Sequence, residues 1–238
     1  MSTTSAPATT LKERLDIVRD RIADAERRSG RPAGSVTLVG VSKTVTRAEV
    51  DEAYAAGLRH FGENRVQNAL QTFAGDLPDD LTLHLIGTLQ TNKARFVPGN
   101  FDIVHSLDRI ALATELDRRC GAAGLRLPVL IQVNIAREEQ KHGCVVEDLP
   151  SVIEATLACE SLDLRGLMTM APLGSDAETA RPIFVGLREV REEMRARYPE
   201  ATLDELSMGM TNDYVAAIEE GATIVRVGRA IFAESMGS

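Results

Sequence analysis

Apolar and polar positions follow two alternating patterns along the chain. Eight short runs rich in Val, Ile and Leu predict β-strands: TLVGVS, RHFGE, LTLHLIG, FDIVHSLD, PVLIQVN, LDLRGLMTM, ELSMGM and TIVRVG. Each run is followed by a more polar stretch with helical spacing, and several of these stretches end on a glycine, as helices commonly do. Strict alternation implies right-handed crossovers and a parallel sheet. Eight repeats in 238 residues therefore predict a single (β/α)8 barrel.

One further helix is predicted before the first strand. Residues 10–29 carry apolar residues at helical spacing among charged ones: Leu11, Leu15, Val18 and Ile22. We predict a disordered tail over residues 1–10 and one domain over residues 11–238, because no shift in composition marks a linker. The segment TLQTNKARFVPG, after the third strand, is short enough for only two helical turns.

An open doubly wound sheet is the alternative architecture. That fold places a glycine-rich GxGxxG turn after its first strand and an acidic ribose partner at the end of the second. The turn after the first strand here reads VSKTVT, without that glycine pattern, and no acidic residue follows the second strand in the expected context. The barrel is therefore the favoured prediction.

Composition narrows the classes of partner. The net charge of −8 and the sequence pI near 5.1 argue against nucleic acid as a ligand, because duplex binding depends on neutralising phosphates. Three cysteines without a CxxC pair indicate a reducing compartment. The start MSTTSAPATT lacks the features of a signal peptide, and no run of eighteen apolar residues occurs, so we expect a cytoplasmic protein without membrane contact.

Polar residues gather where the predicted strands end, which is where barrels carry their chemistry. Lys43 lies on one strand face with Val39 and Val41, because side chains alternate along a strand. An inward-facing lysine in an apolar setting has a lowered pKa, and its free amine can attack a carbonyl to form a Schiff base. The alternative is a lysine at the rim, paired with Glu63.

The last two strands predict an anion site. LSMGMTND, residues 206–213, and IVRVGRAIF, residues 224–232, contain glycines that allow a close backbone approach, and Ser207 offers a hydroxyl. The amides that begin the helix at Arg229 can point at a phosphate. Tight packing of helix on strand explains the glycines equally well.

Arg226 shares a strand face with Ile224 and Gly228, so its guanidinium faces the barrel interior and needs an acceptor. That acceptor is either an interior acid such as Glu63 or an atom of a ligand. An amine, a phosphate cradle and an inward arginine together describe a site for a phosphorylated aldehyde with a ring acceptor.

These stretches resemble the pyridoxal phosphate homeostasis family, the YggS/PROSC group, which is similar in barrel and cofactor placement to the amino-terminal domain of alanine racemase. The matching stretches run from residue 36 to residue 233: VGVSKTV, FGENRVQ, HLIGTLQTNK, HSLD, QVN with EEQKHG downstream, GLMTMAP, LSMGMTND and VRVGRAIF. Three positions depart from the family pattern. Arg229 stands where many relatives carry Ser or Thr, Leu107 alters the HSLD motif, and Ala233 stands where glycine is common.

The resemblance implies pyridoxal 5'-phosphate (PLP) as the cofactor, held by Lys43 as an internal aldimine. Arg226 falls where an arginine faces the pyridine nitrogen. The phosphate would lie against Ser207 and the backbone of Gly228 and Arg229, close to the loop that begins Met208–Gly209–Met210. The resemblance also places three residues in motifs that line the pocket: Asn64, His84 and Met210.

The same resemblance implies a role in vitamin B6 homeostasis without substantial catalysis. An arginine cannot protonate the ring nitrogen, so the ring is a weak electron sink, and racemisation needs a second base opposite Lys43. Of the tyrosines, only Tyr214 is expected to approach the pocket. We therefore predict a PLP carrier that passes cofactor to apoenzymes, as a monomer, with a dimer as the alternative. A weak racemase and a cofactor-free Schiff-base aldolase are the alternative functions.

Metal and thiol chemistry are not expected. The four histidines, His60, His84, His105 and His142, show neither HExxH nor HxH spacing. Cys144 follows a Lys-His-Gly sequence, and we interpret it as an ordinary thiol.

Overall fold

The computed structural model describes residues 9–138, 142–172 and 174–232. Eight parallel strands form a closed barrel in chain order, with β1 paired to both β2 and β8. The strands are β1 Thr37–Val41, β2 His60–Glu63, β3 Thr82–Leu85, β4 Ile103–Leu107, β5 Leu127–Gln132, β6 Leu162–Met168, β7 Glu205–Ser207 and β8 Ile224–Val227. This confirms the predicted barrel and all eight predicted strands.

Helices surround the barrel and confirm the predicted alternation. They are α1 Leu11–Arg28, α2 Arg47–Ala55, α3 Val66–Thr72, α4 Ile110–Ala122, α5 Leu149–Leu157, α6 Ala177–Arg197, α7 Tyr214–Glu219 and α8 Arg229–Phe232. Between β3 and β4 the chain forms a 3₁₀ helix, Thr91–Phe96, of six residues. Its two turns match the short connection expected there.

The predicted additional helix α1 begins on a capping box. The Thr10 side chain accepts a hydrogen bond from the Glu13 backbone, and the Glu13 carboxylate accepts one from the Thr10 backbone. Thr10 is therefore the N-cap of α1. Residues 1–8 of the predicted tail lie outside the described residues, as do residues 233–238 at the other end of the predicted domain.

Two apolar layers hold the barrel. The interior cluster is small and is formed by Val39, Ile103, Leu130, Met168 and Ile224. A much larger cluster lies between the strands and the helices. Parallel strands covered on both faces bury apolar side chains in both directions, which is why the strand runs are almost continuously apolar.

Gly166 lets β7 approach β6 closely. A Cβ atom added at Gly166 would lie 1.9 Å from the Glu205 carbonyl oxygen, a backbone atom that cannot turn aside. We expect Gly166→Ala to lower the free energy of unfolding by about 3 kcal/mol or more, measured by urea denaturation. Gly186→Ala in α6 is the control, because its added Cβ meets only a side-chain methyl of Ile135. Equal stability of the two variants would contradict the prediction.

Candidate functional site

A cavity of about 320 Å³ opens at the mouth of the barrel where the strands end, and we call it the upper cavity. It is bounded by the ends of β1 and β8 and by the loops after β6 and β7. Its lining residues are Val41, Lys43, Pro172, Gly174, Ser175, Met210, Thr211, Asn212, Asp213, Arg226, Gly228 and Arg229. Five of the ten residues predicted for the site are among them: Lys43, Met210, Arg226, Gly228 and Arg229.

Lys43 follows β1 at the rim of the upper cavity. Val39 is fully buried, Val41 is half-buried and Lys43 is exposed, so burial decreases steadily along this face of the strand. Lys43 lies in the turn two residues beyond β1 and lines the cavity at the barrel mouth. The apolar setting that we expected around its ammonium is not present, because the side chain reaches solvent.

Glu63 is not the partner of Lys43. Its carboxylate is completely buried and accepts a hydrogen bond from the Ser42 hydroxyl at 2.7 Å. Ser42 is buried, whereas Lys43 lies in the turn that follows β1 and is exposed, and Lys43 is not among the charges that shift the pKa of Glu63. Burial raises the pKa of Glu63, and the Ser42 hydrogen bond opposes that rise. The alternative of a rim ion pair between Lys43 and Glu63 is therefore wrong.

Arg226 lies in the barrel interior on β8, next to β1, with 3% of its surface exposed. Its Nη1 donates to the Ser207 hydroxyl at 2.5 Å, and its Nη2 donates to the Thr169 carbonyl at 2.9 Å. Burial lowers the pKa of Arg226 to about 10, and the negative charge of Asp213 opposes that shift. The acid that acts on this guanidinium is thus Asp213 and not Glu63, which sequence reasoning had offered as its interior partner.

Asp213 was missed from the sequence, although it closes the LSMGMTND motif. Its Oδ1 accepts a hydrogen bond from the Met210 backbone at 2.5 Å, which fixes the loop after β7. That loop turns at Gly209, whose φ of +94° favours glycine, and an added Cβ there would lie 2.6 Å from Ala217. The turn directs Met210 and the next two residues into the cavity wall.

The start of α8 faces the same cavity. The first hydrogen bonds within the helix run from the amides of Ile231 and Phe232 to the Gly228 carbonyl. The amides of Arg229 and Ala230 precede them, in the first turn of the helix, where backbone amides have no partner within the helix. Such amides suit an anion, and the Arg229 side chain adds a positive charge at the rim. The structure thus brings the Lys43 amine, the Arg226 guanidinium and this helix start around one cavity.

The other five predicted residues lie elsewhere. Ser207, Met208 and Gly209 are buried and are not among the residues that line the upper cavity. Asn64 lines a separate cavity of about 390 Å³, and His84 lies in the barrel interior beside a cavity of about 330 Å³ at the opposite mouth. Their assigned parts in cofactor binding stay predictions.

Tyr214 does not approach the cavity, contrary to our expectation. Its side chain is buried in the layer between the barrel and the helices, and it is absent from the described cavity lining. Burial raises the pKa of Tyr214, and the guanidinium of Arg21 on α1 opposes that rise. The helix begins at Tyr214 and turns this side chain outward, toward α1.

Thiol and metal chemistry find no support among the described residues. Burial raises the pKa of Cys144 to about 12 and that of Cys120 to about 11, which matches an ordinary thiol. The Lys141 that precedes Cys144 lies outside the described residues. In the part of the chain that the structure describes, no group of three or more His, Cys, Asp or Glu residues could hold a metal ion. No described helix is long and apolar enough to cross a membrane.

Comparison with known proteins first identifies the class of barrel to which the chain belongs. The family model of the alanine racemase N-terminal domain matches residues 14–235. An alanine racemase structure from Clostridium difficile superposes with a TM-score of 0.67 at 13% identity, covering 92% of this chain and 56% of the racemase. The barrel is therefore of the alanine racemase N-terminal type.

More similar relatives narrow this class. The chain is 44% identical over 222 residues to the pyridoxal phosphate homeostasis protein of Aquifex aeolicus, covering 93% of this chain and 97% of that protein. It is 43% identical to the protein of the same name from Pseudomonas aeruginosa, covering 94% and 95%. PipY of Synechococcus elongatus, solved with PLP bound, superposes with a TM-score of 0.82 at 41% identity, covering 94% of this chain and 100% of PipY. The chain belongs to the pyridoxal phosphate homeostasis protein family, which confirms the resemblance seen in the sequence.

Proposed function

We propose that this protein binds pyridoxal 5'-phosphate in the upper cavity and serves vitamin B6 homeostasis. The observation that carries the proposal is that one cavity combines the Lys43 amine, the Arg226 guanidinium and the amides at Arg229. Pyridoxal 5'-phosphate carries an aldehyde, a pyridine nitrogen and a phosphate, one for each of these three groups. Relatives that share about 40% of the sequence are named for this cofactor.

The order of the strands supports this fit. Val39 on β1 is in register with Arg226 on the adjacent strand β8, and Lys43 lies in the turn that follows β1, above that pair. Gly228 follows Arg226 by two residues on the same strand face and leads into α8. A flat ring lying across β1 and β8 would therefore meet the amine on one side and the helix start on the other.

Each residue has a defined task in this proposal. Lys43 Nζ would hold the cofactor covalently through its aldehyde carbon, and the aldehyde oxygen would leave as water. Arg226 would donate a hydrogen bond to the pyridine nitrogen, and the backbone at Gly228 and Arg229, with the Arg229 charge, would hold the phosphate. When bound, the cofactor supplies an electrophilic carbon and an electron-withdrawing ring.

The lining supports a carrier more than an enzyme. Among the described lining residues, the ionisable ones are Lys43, Asp213, Arg226 and Arg229. Arginine donates hydrogen bonds and accepts none, and Asp213 is bonded to the Met210 backbone. Racemisation needs proton transfer on both faces of the substrate, and Tyr214 lies in the outer layer. We therefore propose binding and release of cofactor without substantial turnover of amino acids.

The exposure of Lys43 supports transfer of cofactor to other proteins. An exposed Nζ at the rim of the cavity can be reached by water, which would free the cofactor as its aldehyde, or by an incoming amine, which would take over the bond to the cofactor carbon. Either would leave Lys43 as a free amine. We propose PLP-dependent apoenzymes as the acceptors, a monomer as the working form, and the cytoplasm as the location. The three thiols are free, which suits a reducing compartment.

Absorption spectroscopy with borohydride tests the proposed function. The purified protein, loaded with pyridoxal 5'-phosphate, is expected to be yellow and to bleach on reduction, because borohydride converts a carbon–nitrogen double bond into a stable amine. Peptide mass mapping should find the added mass on Lys43. A label on Lys12 or Lys93 in place of Lys43 would contradict the proposal. Turnover of an amino acid well above the rate with free cofactor would favour the racemase alternative.

A further inference from the structure

A continuous line of hydrogen bonds crosses the barrel interior and ends at the upper cavity. His60 Nδ1 lies 3.0 Å from His84 Nε2, and His84 Nδ1 lies 2.8 Å from His105 Nε2. His105 Nδ1 lies 2.9 Å from the Ser207 hydroxyl, which accepts the 2.5 Å hydrogen bond from Arg226. We call these five residues the relay.

The relay links the two mouths of the barrel. His60 is the first residue of β2, and it lines the cavity of about 330 Å³ at the lower mouth together with His84. Arg226, at the other end of the relay, lines the upper cavity. The five members come from five different strands, β2, β3, β4, β7 and β8.

Buried imidazoles in such a line carry a high cost unless every nitrogen is paired. His84 and His105 have 3% and 0% of their surface exposed, and an unpaired polar atom at such a site costs more than a typical hydrogen bond contributes. The rings meet edge to face, with centroids 5.3 and 5.1 Å apart and an interplanar angle of 65° in both pairs. That geometry directs the nitrogen of each ring at the next ring.

The hydrogen bonds of the relay run in one direction. Arginine only donates, so the Ser207 oxygen accepts from Arg226, and the Ser207 hydroxyl proton then needs an acceptor. His105 Nδ1 is the acceptor that the described contacts provide. His105 therefore carries its proton on Nε2 and donates to His84, and His84 in the same way donates from Nε2 to His60. All three imidazoles are thus neutral Nε2–H tautomers.

Neutral histidines are consistent with their surroundings. Burial lowers the pKa of His84 to about 3, with the neighbouring His60 adding to the shift. Burial also lowers the pKa of His105 well below its ordinary value, and His84 and Arg226 add to that shift. Arg226 is therefore hydrogen-bonded to two uncharged groups, the Ser207 hydroxyl and the Thr169 carbonyl, and keeps its positive charge.

We propose that Ser207 and His105, supported by His84 and His60, are positioning residues that hold Arg226 against the ring of bound pyridoxal 5'-phosphate. The proposal rests on the proposed function, because the group that Arg226 meets is the pyridine nitrogen. Two anchors, at Ser207 and Thr169, fix the plane of the guanidinium. Without the first anchor, the guanidinium can rotate about the second, and its hydrogen bond to the ring loses its alignment.

Cofactor titration of four variants tests the proposal. Ser207→Ala removes the anchor, and His105→Phe keeps a ring but removes the acceptor for the Ser207 hydroxyl. Both are expected to weaken binding of pyridoxal 5'-phosphate about tenfold, the scale of one charge-assisted hydrogen bond, and to shift the visible absorption band of the bound cofactor. Ser207→Thr keeps the hydroxyl and should show the affinity and the absorption band of the wild type. His142→Phe is the matched control, since His142 is exposed and outside the relay.

Nitrogen-15 NMR of the wild-type protein without cofactor provides a second test that no substitution can disturb. The three relay histidines should appear as neutral Nε2–H tautomers. An Nδ1–H tautomer at His105 would overturn the proposal, because Ser207 could then not donate to it. Wild-type affinity and spectrum in both Ser207→Ala and His105→Phe would also overturn it. Failure of the wild type itself to take up cofactor would overturn the proposed function and, with it, the task of Arg226.

Discussion

Lys43→Ala is expected to abolish the covalent, coloured form of the bound cofactor while the protein stays folded. The covalent bond depends on one amine, and Lys43 is the described lysine that lines the upper cavity. Arg226 and the start of α8 are unchanged in the variant, so weak binding of the phosphate and ring should remain. We expect the affinity to fall by about a hundredfold or more, roughly 3 kcal/mol.

Titration of wild-type protein and variant with pyridoxal 5'-phosphate, followed by absorbance, measures this loss. Thermal unfolding without cofactor should be nearly unchanged, because Lys43 is exposed and surface substitutions change stability by about 0.5 kcal/mol or less. Lys12→Ala is the matched control, since Lys12 pairs with Asp16 on the surface of α1. If Lys43→Ala folds and holds the cofactor as tightly as Lys12→Ala does, Lys43 is not the attachment site.

The second prediction is a marked loss of stability in mild acid, caused by the buried histidines. Burial lowers the pKa of His84 from 6.5 to about 3, so the folded protein keeps His84 neutral while the unfolded chain becomes protonated. The contribution of neutral His84 to the free energy of unfolding is complete above pH 6.5 and is lost as the pH falls toward 3. Each such imidazole lowers the free energy of unfolding by up to about 1.4 kcal/mol for each pH unit of acidification in this window.

Urea denaturation between pH 7 and about pH 5 measures the effect. We expect His84→Gln to lose about 2 kcal/mol less stability than the wild type over this interval, since glutamine does not titrate. Burial raises the pKa of Glu63 and of Glu205, which acts in the opposite direction. That contribution is common to both proteins and cancels in the comparison. His142→Gln should follow the wild-type slope, and an identical slope for His84→Gln would contradict the prediction.

Much of the fold and part of the site could be predicted from the sequence because they depend on local periodicity. Alternating apolar runs and helical stretches specify a parallel barrel once eight of them follow one another. The same period of two along a strand placed Lys43 at the end of β1 and turned Arg226 inward. Motif resemblance added the family, which the relatives confirm.

The remaining features depend on contacts between distant parts of the chain. The hydrogen-bonded pairs of the relay are separated by 24, 21, 102 and 19 residues, and no local pattern shows which inward side chains share one height in the barrel. The path of the loop after β7 brings the negative charge of Asp213 near the Arg226 guanidinium and packs Tyr214 outward, near α1.

The sequence by itself determined the barrel, its additional first helix, the position of Lys43 just beyond β1 and the inward direction of Arg226, because strand and helix periods are properties of neighbouring residues. Only the tertiary structure decided that Lys43 is exposed, that Ser207 is engaged by Arg226 and His105, and that Asn64 lines another cavity. Exposure and hydrogen-bond partners are set by strand stagger and loop paths, which bring together residues that are far apart in the chain.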